Sequence, residues 1–198
     1  MKHILSITLL VVASVVLTSC STSSSIGETA SSSSFEEGVP GGTYVETYKL
    51  EATVTAINAA SRKVTLTAAD GKRETVKCSP EVVNFDQIEV GDKVKVTVYS
   101  EVVLAMADAD NPPVDAAATE SSLAPVGAKP GGTVMETQQY TATVTAINLK
   151  RHEATLRFPN DTTRTFPVRK DVDLSQREVG EKVAVRVTVA VAVAVETP

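Results

Sequence analysis

The side chains able to do chemistry in this 198-residue chain are few and scattered. Histidine occurs only as His3 and His152, and cysteine only as Cys20 and Cys78. A single histidine away from the N-terminus, with no cysteine pair at ligand spacing, does not make a zinc or copper site. A Ser-His-Asp triad would have to run through His152. That residue follows a turn beginning at Asn148, at the exposed position that Arg62 takes in the first of two internal repeats. No Gly-x-Ser-x-Gly, His-Glu-x-x-His, Walker-type loop or Gly-x-Gly-x-x-Gly is present. Asp86 and Glu89 form a carboxylate pair suited in principle to acid–base work. The second repeat has Ser175 and Glu178 there, which reads as a solvated loop. Asp108-Ala109-Asp110-Asn111 begins like a calcium loop. However, Pro113 stands at the sixth position, where glycine is needed, and Thr119 at the twelfth, where glutamate is needed. The expectation is a non-enzyme with no catalytic residues, metal or cofactor.

Cys20 is the exception, through what precedes it. Lys2 and His3 are followed by an uncharged, mostly apolar run, Ile4 to Leu17. At 14 residues the run is short for a membrane span, which takes about 20, but fits a signal-peptide core. Behind it stands Leu17-Thr18-Ser19-Cys20, which resembles the lipobox of bacterial lipoproteins. The resemblance implies cleavage before Cys20, with lipid on its sulfur and on its new amine. Two or more acyl chains hold a protein to a membrane stably, where one does so marginally. Ser21, rather than Asp, implies the outer membrane of a Gram-negative envelope, facing the periplasm. With Cys20 consumed, Cys78 has no partner inside the chain. It aligns with Val168 of the second repeat and reads as a small buried apolar residue.

The elements behind these residues are set by a duplication. Gly41-Gly42-Thr43 recurs as Gly131-Gly132-Thr133, and Ala52–Asn58 (ATVTAIN) recurs unchanged as Ala142–Asn148, 90 residues on. Glu89–Val94 is answered by Glu178–Val183 at a spacing of 89, so one residue is lost between the blocks. The division that follows is a signal peptide at 1–19 and a lipidated cysteine with a Ser-rich flexible tether at 20–42. A β module then spans 43–106, a Pro/Ala-rich acidic linker 107–130, and a second β module 131–198.

Composition agrees on fold class. The chain holds 31 Val and 24 Thr but only 11 Leu, a bias toward pleated sheet and away from helix. Ala52–Asn58 alternates with a slight drift at its end, and Val64–Ala69 alternates before the Asp70-Gly71 hairpin turn. Thr75–Cys78 continues as a strand, Pro80–Ile88 reads as a short helical turn with Phe85 and Ile88 capping the core, and Val94, Val96 and Val98 mark a closing strand. The expected fold is all-β: two tandem small barrels of the OB or SH3-like kind. The ATV-AIN, VTL and NFDQIEVGDKV phrases also resemble an uncharacterised family of exported bacterial proteins, a likeness that implies no activity. Module two departs from the phrases at Pro159-Asn160-Asp161 and at Asp173-Leu174-Ser175.

Charge excludes one class of partner. Residues 43–106 carry 8 basic and 9 acidic side chains and residues 133–196 carry 9 and 8, so both modules are nearly neutral. A nucleic-acid-binding module needs a basic groove with aromatics. At the C-terminus, Val183 to Val195 places a valine at every second position, and from Ala190 onward both faces are apolar. Such a strand either closes its own barrel, docks on module one, or recruits a further strand. Val189, Val191, Val193 and Val195 are therefore candidate interaction residues, for a protein partner or a second copy. Taken together, the expectation is a membrane-anchored envelope lipoprotein with a binding or structural role. The alternative is a periplasmic protein that binds a small ligand or a metal.

Overall fold

A computed structural model describes residues 27–82, 84–108 and 112–198. The described residues form ten strands: β1 (Glu28–Ser34), β2 (Gly41–Asn58), β3 (Lys63–Ala68), β4 (Arg73–Lys77), β5 (Lys93–Met106), β6 (Ala116–Leu123), β7 (Gly131–Asn148), β8 (Glu153–Arg157), β9 (Thr163–Pro167) and β10 (Lys182–Glu196). Single 3-10 turns, Phe85–Gln87 and Leu174–Gln176, precede β5 and β10. The protein is all-β, as its composition implies.

The repeated ATVTAIN stretch is a bent strand. Tyr48, Leu50, Ala52 and Val54 present one face of β2 to the core, and then pairing with β3 slips by a residue between Val54 and Ala56. The extra residue is Thr55, whose hydroxyl hydrogen-bonds the Thr65 carbonyl and the Thr67 hydroxyl. This bulge is the physical source of the drift in alternation. At the bend, the Val54 N–H donates to the Asp92 carbonyl and the Gly91 N–H donates to the Val54 carbonyl. β7 repeats the device: a slip between Val144 and Ala146, with Val144 bonded to Glu181 and Gly180 to Val144. The Pro159-Asn160-Asp161 departure keeps its turn as well. Asp161 has φ +60 where Gly71 has φ +82, and Asp is among the residues that tolerate this region.

The barrels expected from the sequence do not close. All ten strands belong to one antiparallel sheet, ordered β4-β3-β2-β5-β10-β7-β8-β9, with β1 beside β2 and β6 beside β7. A closed barrel would return β5 to an edge of its own module. Instead β2 occupies one side of β5 and β10 the other. β4 is left as an edge strand, exposed and carrying Arg73, Glu74 and Lys77, the charged kind of edge that resists further pairing.

The β5–β10 joint runs without a bulge from Val183 opposite Met106 to Glu196 opposite Lys93. Its midpoint pairs Ser100 with Val189, and Val189 is the repeat counterpart of Ser100, 89 residues on. A local two-fold axis therefore passes through this pair, and each half of the joint mirrors the other. Side chains cross it in both directions. Val195 packs on the core of module one with Leu50, Val54, Phe85 and Val94. Leu104 and Met106 pack on the core of module two with Val144, Val183 and Val185.

Two stretches read as connecting chain carry strands. β1 lies in the Ser-rich tether and pairs with Thr43–Lys49; β6 lies in the Pro/Ala-rich linker and pairs with Gly132–Gln139. Every residue of both is exposed, so neither carries a burial pattern. What they contribute is a row of backbone partners for β2 and β7, whose edges would otherwise face water unpaired.

Candidate functional site

The residues picked out by type do not converge. Cys20 lies outside the described residues. Cys78 is half-buried against the core of module one, and burial pushes its thiol pKa up, which makes it a poor nucleophile. Asp86 is exposed, while Glu89 bonds the Lys129 ammonium. Asp108 is exposed, and the remainder of the calcium-like tetrad lies outside the described residues. Among the described residues no three His, Cys, Asp or Glu side chains group closely enough to hold a metal ion. An open groove of about 470 Å³ is lined by Lys95, Thr97, Gly131, Gly132, Ala192 and Val193, with no carboxylate or imidazole.

His152 has a legible job. It sits at φ +59 in the turn before β8, as Arg62 does at φ +50 before β3. Its Nε2 lies 3.0 Å from the Arg169 carbonyl, and since a carbonyl only accepts, that nitrogen carries the proton. Arg62 does the same with its guanidinium, donating to the Ser79 and Val82 carbonyls over the face of Phe85. Both residues brace the loop that follows the third strand of their module.

The candidate interaction strand is internal. Val189, Val191 and Val193 have backbone partners on both sides, from β5 and from β7. Val195 pairs with Val94, and its N–H donates to the Pro130 carbonyl. The edge of this strand is thus taken within the chain, while the side chains of Val191 and Val193 stay more than a third exposed, at 38% and 37%.

What the fold does bring together is polar and lies at the joint. The loop after β9 reaches across to the hairpin turn between β1 and β2. The Arg169 guanidinium donates to the carbonyls of Glu36 (2.9 Å), Val39 (2.8 Å) and Gly41, and lies 4.2 Å over the Phe35 ring. It also grips Asp171 through Nε at 3.1 Å and Nη2 at 2.9 Å. Asp171 in turn accepts the Gly38 N–H at 2.8 Å. A planar guanidinium with five donors is the group suited to so many acceptors at once.

Arg169, with help from the Gly38 N–H, holds the Asp171 carboxyl well below the usual carboxylate range. A lowered folded-state pKa contributes stability above the unfolded value, near 3.8, and that stability is lost as pH falls below it. Asp171→Asn is therefore expected to flatten the acid limb of a stability–pH curve relative to the parent chain. Identical slopes below about pH 4, measured by urea unfolding, would count against this role.

The mirror-image contact uses different chemistry. Asp92, at the start of β5, has no solvent exposure and accepts the Glu89 N–H at 2.8 Å. Its cation is Lys129, from the turn between β6 and β7, with Nζ 3.0 and 2.8 Å from the two carboxylate oxygens and 3.1 Å from Glu89. Donation of its hydrogen bonds to Asp92 raises the Lys129 pKa. Beside it the Asn84 amide donates to the Pro125 carbonyl at 2.9 Å. Each module thus clasps the other's hairpin turn.

No protein-family model matches this chain, and no curated protein matches it either.

The clasps depend on residues by which the repeats differ. Arg169 stands where module one has Ser79, and Lys129 where it has Val39, each 90 residues apart. Module two's counterpart of Asp92 is Glu181, neutralised from within by Arg177 at 2.7 Å. The signal that could have found them is a charge appearing in one copy of a duplicated chain and not in the other. Chemically the arrangement fixes two β modules as one body; it does not assemble a nucleophile, a base and a binding pocket.

Proposed function

We propose that this protein is a lipid-anchored component of a bacterial envelope, facing the periplasm from the outer membrane, with a binding or structural role and no catalysis. The observation that carries the reading is Leu17-Thr18-Ser19-Cys20 directly behind the apolar run Ile4–Leu17. The fold is compatible with it. Among the described residues the first strand begins at Glu28, eight positions after Cys20, a reach of at most about 28 Å at roughly 3.5 Å per residue. An anchored body would therefore stay close to the membrane surface. Each half also carries five strands and a 3-10 turn before the last of them, the inventory of a small, partly open barrel of the OB or SH3-like kind. In this reading the strand edge that would close each barrel is given to the sister module.

Cys20→Ala tests the anchor. In a bacterial host the parent chain is expected to take up labelled fatty acid and sediment with membranes. The variant is expected to lose the label and move to the soluble fraction. Unchanged membrane association of the variant, with no label on the parent, would overturn the proposal.

A further inference from the structure

The β5–β10 joint is close to self-complementary, which raises the question of what keeps it within one chain. Because the local two-fold axis passes through Ser100 and Val189, the same register can be built from two copies of β5. That pairing sets Val96 opposite Leu104, Val98 opposite Val102, Tyr99 opposite Glu101 and Ser100 opposite itself. None of these pairs places like charges together, the arrangement a sheet penalises. Tyr99 and Glu101 already share a 2.6 Å hydrogen bond along the strand. The backbone ladder and the valine face therefore do not distinguish the sister module from module one of a second chain.

The clasps do distinguish them. If module one paired with itself, the loop facing the turn Phe35–Gly41 would present Ser79 and Glu81 in place of Arg169 and Asp171. The three turn carbonyls and the Phe35 ring would lose their guanidinium. On the other side, fully buried Asp92 would meet Val39 in place of Lys129, leaving a carboxylate buried without its cation, a severe penalty. Specificity then comes from penalties against the wrong pairing as much as from contacts in the right one.

We infer that Arg169 and Lys129 are the pairing-specificity residues of an otherwise self-complementary interface, and that a second copy of this chain, joined β5 to β5, is the partner they exclude. The inference is independent of the lipid anchor.

The test is made in the full chain with Cys20→Ala and Cys78→Val, so that Ser100→Cys supplies the one thiol. Antiparallel β5 strands in this register bring the two introduced thiols of a like-paired dimer face to face, within disulfide reach. Under mild oxidation the reporter chain is expected to stay monomeric on a non-reducing gel. Two variants carry the argument. Arg169→Ser with Lys129→Val gives both residues their module-one identities. The second moves both clasps: Arg169→Ser, Asp171→Glu and Lys129→Val in module two, with Ser79→Arg, Glu81→Asp and Val39→Lys in module one. Each is expected to raise the disulfide-linked dimer at least about tenfold over the reporter, since loss of a buried charge partner shifts an equilibrium by more than that. Moving both clasps keeps the test decisive if the first variant fails to fold, because it supplies like pairing with a guanidinium and an ammonium of its own. A folded moved-clasp chain that remains monomeric would overturn the inference, as would a reporter that already crosslinks to the same extent.

Discussion

Asp92→Ala is expected to lower the unfolding free energy by about 3 kcal/mol, the usual cost of breaking a buried ion pair from one side. Asp92 is the fully enclosed partner, and its two oxygens serve the Lys129 ammonium and the Glu89 N–H together. Alanine leaves that N–H without its acceptor and Lys129 with only exposed Glu89. It also removes the buried ionic tie between the segment entering β5 and the turn of module two, leaving the exposed one through Glu89. Asp92→Asn keeps an acceptor of the same shape and should cost less. Urea denaturation of both chains checks the order, and a cycle with Lys129→Ala checks the coupling. A loss for Asp92→Ala no larger than about 0.5 kcal/mol, the range of ordinary surface changes, would mean the pair is incidental.

Gly41→Ala is expected to be of similar size, for a steric reason. Gly41 opens β2 at φ +106, a backbone region that costs a non-glycine residue roughly 1–3 kcal/mol. A Cβ there would also collide with the Leu104 carbonyl on the neighbouring strand, and backbone of a paired strand has little room to move. Together these predict a loss of about 3 kcal/mol or more. The clash also lies beside Leu104, which packs on the core of module two, so damage should spread across the joint. Gly38 supplies the control: its φ is +76 but nothing lies within 4 Å of a built Cβ. Gly38→Ala should therefore cost only about 1–2 kcal/mol, the backbone penalty alone. Equal midpoint shifts for the two variants would mean that crowding against β5 is unimportant.

How far the fold could be read in advance depended on whether a segment's partner is local. The bulge at Thr55 showed in the sequence as a drift in alternation toward the end of Ala52–Asn58, because a bulge displaces its own neighbours. The Asp70-Gly71 turn and the apolar cap of Phe85 and Ile88 were visible because each is decided within a few residues. β1 and β6 were not, because Ser31–Ser34 and Ala116–Ala118 bury nothing and are held by a ladder supplied from β2 and β7. The same limit hid the joint. The valines of β10 announce a strand, but nothing in Val189–Val195 says that β5 lies on one side and β7 on the other. The Arg169 and Lys129–Asp92 clasps were invisible because each joins segments far apart in the chain. The trace they leave in the sequence is that Arg169 and Lys129 replace the uncharged Ser79 and Val39 of the sister repeat.

The crossing of Val195 into the core of module one bears on how the chain acquires its structure. Lys95 and Glu196, joined by a 2.7 Å ion pair, are 101 residues apart, and the valines beside them are as distant. Contacts of that separation carry a large loop-closure cost and slow the search for the native state. They also mean that the first half, though emerging first from synthesis, lacks part of its interior until the final strand arrives. The two copies should therefore melt in a single cooperative transition. A nascent first half should meanwhile expose an unfilled valine-lined edge, which makes early encounters between neighbouring chains the step most prone to misassembly.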